Sequence, residues 1–263
     1  METSSVLLKS VRYCTKEIEP SDNGEAGITA RQELVPGFNQ EVMQSSTILL
    51  IGAGGIGGEI AQGLVRKGVG ILKIFDGDSV ELSNLSRQRF YPDDLYKNKA
   101  ASLAKNLVRE GTRKTNIIAY PFMFQRAIEE KIDTSCDLVL CVPDNDETRV
   151  FVSRYFYQKA PVVFTGLDIN ANTFYVFIQA PGKACFRCAK PDATRSKREL
   201  CPNTPAIIDI LKAVAGFALF AIDSTLMTRK RNWNYRQVFL CGFVPDVLKQ
   251  VEKRQHCEIC SGS

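Results

Sequence analysis

The sequence predicts an α/β fold, a doubly wound and mainly parallel sheet extended by antiparallel strands, and three observations carry that reading. Residues 47–51, Thr-Ile-Leu-Leu-Ile, form an apolar run of the kind a strand buried on both faces requires, and it passes directly into Gly52-Ala-Gly-Gly-Ile-Gly-Gly58. Gly52, Gly54 and Gly57 keep the G-x-G-x-x-G spacing, in which small residues permit a tight turn, close backbone approach to phosphate and packing of helix on strand. A second strand, residues 71–76, ends on Asp76, 19 residues beyond Gly57, where such a sheet places an acid on ribose hydroxyls. By itself the glycine motif does not separate NAD, FAD, S-adenosylmethionine and ATP binders.

The elements follow in order. Residues 1–27 are polar, end in Ser-Asp-Asn-Gly-Glu-Ala-Gly and read as an N-terminal extension and linker. Residues 28–46 read as a helix, a Pro36-Gly37 turn and a second helix. The glycine loop opens a helix over about 56–66, whose free N–H groups would point at a bound anion. A helix over about 97–109 leads to a strand near 116–122. Residues 138–142 are wholly apolar and run into Pro143-Asp144-Asn145. Strands at 162–166 and 174–179 follow, the second as an antiparallel edge, and a helix spans about 206–227. Ligands of open α/β sheets sit outside the carboxyl ends of parallel strands, so Asp76 and Asp144 share a rim with the glycine loop. Beside a phosphate site two acids suggest ribose contact and Mg²⁺ binding, with capping of a following helix as the alternative for each.

The 263 residues can bury a full core, and residues 28–263 read as one domain. The net charge of +5 comes from 34 basic and 29 acidic residues that are interleaved, so no nucleic acid partner is expected. Basic clusters at 195–198 and 229–231 read as solvated faces. The first nine residues lack the basic and apolar regions of a signal peptide, and the apolar stretch 213–222 is too short to span a bilayer, so a cytoplasmic protein is expected. His256 is the single histidine, which nearly removes chemistries built on an imidazole base or on several histidine ligands.

Nine cysteines in such a chain favour metal or thiol chemistry over disulfides. Cys185-Phe-Arg-Cys188 and Cys257-Glu-Ile-Cys260 are two C-x-x-C pairs that together fill a closed tetrahedral Zn²⁺ site and would tie the C-terminal tail to the body. Cys14, Cys136, Cys141 and Cys241 read as core packing. Cys201 follows a basic loop and precedes a helix, whose partial positive charge would lower its pKa.

The stretch Asp76-Gly-Asp-Ser-Val-Glu-Leu-Ser-Asn84-Leu-Ser-Arg87-Gln88, with Lys99-Ala100 and Asp144-Asn-Asp-Glu-Thr-Arg149 downstream, resembles the adenylation domain of ubiquitin-activating enzymes and of the bacterial activators of sulfur-carrier proteins. The resemblance runs from about residue 28 to 260 and, through the pattern Gly-x-Gly-Gly-x-Gly, adds Gly55 to the loop. It implies a single-domain member of bacterial type using ATP, Mg²⁺ and Zn²⁺, with a zinc knot at 185–188 and 257–260 and a cysteine loop at 189–205. Asp76 becomes the ribose ligand, Asn84, Arg87 and Lys99 the groups around the phosphates, and Asp144 the Mg²⁺ and catalytic carboxylate. Arg31 becomes a residue that reaches the partner subunit's site in a homodimer, and Cys201 a thioester-forming thiol. The chain departs from the family pattern in a shortened stretch between Arg87 and Lys99 and in Tyr96, where glycine is common. The substrate implied is a small ubiquitin-like β-grasp protein with a C-terminal glycine, handed on to a conjugating enzyme or sulfur donor.

That chemistry suits the composition. A terminal carboxylate, with a pKa of about 3.5, is already ionised at neutral pH and needs no base. Alignment and positive charge on the phosphates are what remain to be supplied. Two alternatives stay open: a nicotinamide-dependent oxidoreductase, and a catalytically inactive scaffold that binds a ubiquitin-like protein.

Overall fold

The computed structural model describes residues 10–18, 27–168, 170–193 and 205–260; Cys201 lies outside them, as do the basic residues 195–198. One nine-stranded sheet runs through it in the order β1-β4-β3-β2-β5-β6-β7-β8-β9. The strands are β1 (Val11–Cys14), β2 (Thr47–Ile51), β3 (Ile71–Phe75), β4 (Asn116–Tyr120), β5 (Leu138–Cys141), β6 (Val162–Leu167), β7 (Thr173–Gln179), β8 (Tyr235–Phe239) and β9 (Val247–Lys249). β4, β3, β2, β5 and β6 are parallel, while β1 joins β4 and β7, β8 and β9 follow β6 in antiparallel sense. The chain reverses its winding between β2 and β5, which opens a crevice at their carboxyl ends.

Helices α1 (Ala30–Glu33), α2 (Gln40–Ser45), α3 (Gly55–Lys67), α4 (Lys99–Leu107), α5 (Phe124–Glu129), α6 (Asp146–Tyr155), α7 (Phe186–Ala189) and α8 (Ile208–Leu226) complete the layers. Alternate strand residues point to opposite faces, and both faces are covered. Ile48, Leu50, Ile74 and Leu140 pack with α3, α4 and α8 on one side, while Leu49, Ile51, Phe75 and Val139 pack with α5 and α6 on the other. This is why the central strands are apolar at nearly every position; the exception at the middle of β3, Lys73, sends its ammonium to Asp133 at 2.9 Å. α8 lies on α3 because two glycines make room: a Cβ at Gly55 would stand 2.6 Å from Leu211 Cδ1, and one at Gly63 would stand 2.4 Å from Leu219 Cδ1. Its end is anchored by buried Asp223, which meets Lys67 Nζ at 2.8 Å and Arg229 at 2.7 Å. Two cations around one buried carboxylate offset the cost of desolvating it.

The stretch read as an extension contains an element: β1 extends the sheet by pairing Val11 with Ala119. β8 and β9 likewise lengthen the antiparallel edge beyond the strand at 173–179. Among the described residues no helix is long and apolar enough to cross a membrane.

Candidate functional site

β2 delivers the chain to Gly52, whose φ of 101° lies in the left-handed region and whose missing Cβ would stand 2.9 Å from the Val142 carbonyl oxygen. The end of β5 therefore presses on the loop after β2, and only glycine fits between them. A Cβ at Gly57 would stand 2.0 Å from the Gly52 carbonyl oxygen, so this glycine closes the turn from beneath. Gly54 differs. It is the N-cap of α3, no side chain caps that helix, and a Cβ there would meet nothing within 4 Å. The loop is thus packed below and open above, with uncapped helix amides at its rim, which is a cradle for an anion. Gly55 faces inward to Leu211 and serves helix packing.

Asp76 follows β3 and is buried. Its Oδ2 accepts the Ala53 N–H at 2.7 Å and its Oδ1 accepts the Asp78 N–H at 2.9 Å, so this carboxylate braces the glycine loop. Burial raises its pKa, and the two backbone N–H groups partly oppose the rise. The Asn98 side chain donates to the Asp76 carbonyl at 2.8 Å and its oxygen caps α4, which sets Lys99 beside the loop. Lys99 Nζ lies 3.1 Å from Asp78 Oδ2. A cation at the first position of a helix opposes the helix dipole, so helix stability does not account for Lys99 standing there.

Between them the chain makes a turn around buried Asn84, whose Oδ1 accepts the Glu81 N–H at 3.0 Å. Arg87 folds back and donates to the Ser83 carbonyl. Tyr96 occupies the left-handed region at φ 65°, where glycine is at ease and tyrosine is strained, and the residue is 84% exposed.

Asp144 stands three residues beyond β5 and is exposed. Asn145, rather than Asp144, caps α6: its Oδ1 accepts the Thr148 N–H at 2.8 Å while its Nδ2 donates to Asp144 Oδ1 at 3.1 Å. Buried Arg149 supports this loop, giving one bond to Asp146 at 2.7 Å and others to the carbonyls of Pro143 and Thr165. Because β2, β3 and β5 are parallel neighbours, the glycine loop, Asp76, the 78–99 segment and Asp144 all leave one edge of the sheet.

Arg31 is not among them. Its neighbour Gln32 donates to the Lys67 carbonyl at 3.3 Å, at the far end of α3 from the glycine loop. That helix is about 20 Å long, more than an arginine side chain can cross. Arg31 is exposed beside Ile28, Leu34 and Val35, of which Leu34 is 81% exposed.

The two C-x-x-C pairs converge. Cys185, Cys188, Cys257 and Cys260 are buried with their sulfurs all within 4.8 Å of one another. The 185–257 and 188–260 pairs stand at 3.3 and 3.4 Å, close to the ~3.8 Å edge of a tetrahedron of 2.3 Å Zn–S bonds. The donor set and its burial fit a structural Zn²⁺. Arg254 N–H donates to Cys188 Sγ at 3.3 Å, a bond suited to a thiolate ligand. His256 is exposed, with a left-handed φ of 60° that turns the chain into the second pair.

A family model described as the ThiF family matches residues 28–257. The chain belongs to the ThiF family. It is 36% identical over 227 residues to ubiquitin-like modifier-activating enzyme 5 of Culex quinquefasciatus, covering 73% of this chain and 57% of that protein. It is 24% identical over 253 residues to the adenylyltransferase and sulfurtransferase UBA4 of Lodderomyces elongisporus, covering 92% of this chain and 56% of that one. The chain spans about half the length of these curated relatives. Among solved structures E. coli MccB with ATP shares the fold at a TM-score of 0.75 and 16% identity, covering 91% of this chain and 75% of that one. ThiF-family membership sets aside the oxidoreductase alternative.

Two features of this ThiF-family site are not evident from the sequence reading. Arg89 pairs with Glu59 of α3 at 3.3 Å and with Glu110 at 2.7 Å, stitching the 78–99 segment to the helix that opens at the glycine loop. The signal available was Glu59, an acid inside an otherwise apolar helix face that demands a cation. The second feature is a cavity of about 150 Å³ beside Asp144, walled by Asp146, Arg149, Gly166, Asp168, Tyr175 and Lys190, among others.

The remaining cysteines divide. Burial pushes the Cys141 thiol up, and Cys136 to about 12, as inert packing thiols require. Cys14 and Cys241 are exposed, which corrects their reading as core: Cys14 ends the edge strand β1, and Cys241 lies in the turn after β8, where each meets solvent.

Proposed function

We propose that this chain activates the C-terminal carboxylate of a small ubiquitin-like or sulfur-carrier protein by joining it to AMP from ATP. The observation that carries the reading is the meeting, on one rim of a ThiF-family sheet, of an open anion cradle with Asp76, Lys99 and Asp144. The names of its relatives, a modifier-activating enzyme and an adenylyltransferase, agree with it.

ATP phosphates lie over the 52–58 loop and the first amides of α3, and Asp76 faces the ribose. Arg87 exchanges the Ser83 carbonyl for phosphate oxygens, and Asn84 holds the turn that presents it. Lys99 adds a second fixed cation. Asp144 would hold Mg²⁺, which neutralises charge on the phosphoryl oxygens. The substrate carboxylate attacks the α-phosphate, and pyrophosphate leaves. No base takes part, since the nucleophile carries no proton at neutral pH.

The same proposal includes a homodimer, because Arg31 stands too far from its own glycine loop and amid exposed apolar residues that a second copy would cover. Transfer to Cys201 as a thioester, and onward to a conjugating enzyme or sulfur donor, is its second step. Zn²⁺ at the four cysteines stabilises the tail, and residues 28–263 act as the adenylation unit.

The test is ATP–pyrophosphate exchange with candidate small β-grasp proteins ending in glycine. Exchange should require the partner and fall about a hundredfold or more in Asp144→Ala. A wild-type rate in that variant removes Asp144 from the chemistry, and no exchange with any candidate supports the inactive scaffold. Intact mass in the presence of ATP reports the Cys201 adduct, which Cys201→Ala should abolish.

A further inference from the structure

We propose that Lys190, set against Tyr175 and Tyr235 on the wall of the cavity beside Asp144, receives a carboxylate of the substrate's C-terminal tail. The proposal rests on the adenylation reading and adds a residue that selects the substrate.

The cavity lies where a tail must end. Asp146 and Arg149 on its wall belong to the helix that begins two residues after Asp144, and an extended residue spans only about 3.5 Å. A chain whose terminal carboxylate meets the nucleotide beside Asp144 therefore has its last residues within reach of this space.

The charges on the wall are already committed, with one exception. Arg149 spends its terminal nitrogens on Asp146 and on two carbonyls. The Asp168 carboxylate accepts the N–H groups of Asn172 and Thr173 at 2.9 and 2.8 Å. Lys190 is half-buried, and among the described residues its ammonium makes no ion pair within 4.0 Å. Its nearest neighbours are ring faces, the Tyr175 centroid 4.3 Å from Nζ and the Tyr235 centroid 5.5 Å. The Asp146 carboxylate, on the same cavity and bound to Arg149, acts on it from beyond ion-pair distance. Two rings offset part of the lost hydration, but an ammonium has three donors and no acceptor, and among the described residues no hydrogen bond to it is found, a role that a carboxylate supplies.

The backbone that carries the amine is also held in place. The Lys190 N–H closes α7 on the Phe186 carbonyl at 2.8 Å, and α7 carries Cys188 of the tetrathiolate cluster. On the neighbouring strand Gly166, paired with Tyr175, leaves the space that the Tyr175 ring fills, since a Cβ there would stand 2.7 Å from it. A cation on an anchored backbone and seated against two rings has less freedom to lose when the anion arrives.

The carboxylate has two possible sources, the terminal one or an acidic side chain just before it, and three probes separate them: Gly-Gly-Gly, its C-terminal amide, and Glu-Gly-Gly amide. Binding of each to the full chain is read by NMR titration for wild type, Lys190→Gln and Lys190→Arg, with thermal melting and metal content confirming that each variant is folded. The wild type should bind at least one carboxylate-bearing probe about five- to tenfold more tightly than Gly-Gly-Gly amide, Lys190→Gln should erase that difference, and Lys190→Arg should keep most of it. Equal binding of all three probes, no binding of any, or a difference that survives in Lys190→Gln overturns the proposal. Binding of a non-hydrolysable ATP analogue to the wild type is read separately. Its absence would sink the adenylation reading while leaving a carboxylate site at Lys190 standing.

Discussion

Asp76 carries two duties that pull in opposite directions. It holds the glycine loop through Ala53 and Asp78, and burial raises its pKa above the ordinary carboxylate value. A group whose folded pKa lies above its unfolded one contributes most to stability below the unfolded value, about 3.9, and loses that contribution as pH rises through the folded value. At neutral pH the ionised Asp76 is therefore a cost that the site bears. Asp76→Asn removes the titration but leaves one backbone N–H facing an amide, a loss of about 1–3 kcal/mol. Melting temperatures of the two proteins should accordingly differ most below pH 4, with the wild type higher, and the gap should narrow as pH rises. A gap constant with pH would show that Asp76 does not titrate in this range. Nucleotide affinity of the variant should fall about tenfold, because an acceptor for the ribose hydroxyls is lost.

At the level of elements, Gly54 and Gly57 lie on one loop yet answer to different neighbours. A methyl at Gly57 strikes the Gly52 carbonyl, so Gly57→Ala should lower stability by about 2–3 kcal/mol in thermal melts. A methyl at Gly54 meets no protein atom, and its φ of −75° suits alanine, so Gly54→Ala should melt within a few degrees of wild type. It should nonetheless weaken ATP binding about tenfold or more, by filling the cradle. Wild-type binding in Gly54→Ala would place the phosphates elsewhere. The same contrast explains what the sequence made legible. β2, β3 and β5 are buried on both faces, so nearly every residue is apolar and the runs stand out. β1 and β9 are the edge strands and β8 lies next to an edge; they carry polar residues such as Arg12, Arg236 and Lys249, and no run marks them. The rim residues were legible because a local motif carries them. The Lys190 cavity was not, since it is built from β6, β7, β8, α6 and the end of α7, which only the folded sheet brings together.

Two features bind the molecule as a whole. The cysteine cluster ties residues 257–260 to α7 across some seventy positions, so Cys257→Ser should lower the zinc content from about one per chain and cost several kcal/mol of stability. A folded wild type without metal would refute the zinc assignment. The second feature is the separation of Arg31 from its own glycine loop by the length of α3, and it gives the homodimer a sharp test. In a dimer with composite sites, Arg31→Ala disables the site of the partner subunit while Asp144→Ala disables the site of its own. Each variant alone should be inactive in pyrophosphate exchange. After subunits exchange at equal amounts, half the dimers are mixed, and in each of these both lesions fall in the same site and leave the other intact. Activity should recover to about a quarter of wild type. If Arg31 instead served its own subunit, both sites of the mixed dimer would carry one lesion each, and mixing would restore nothing.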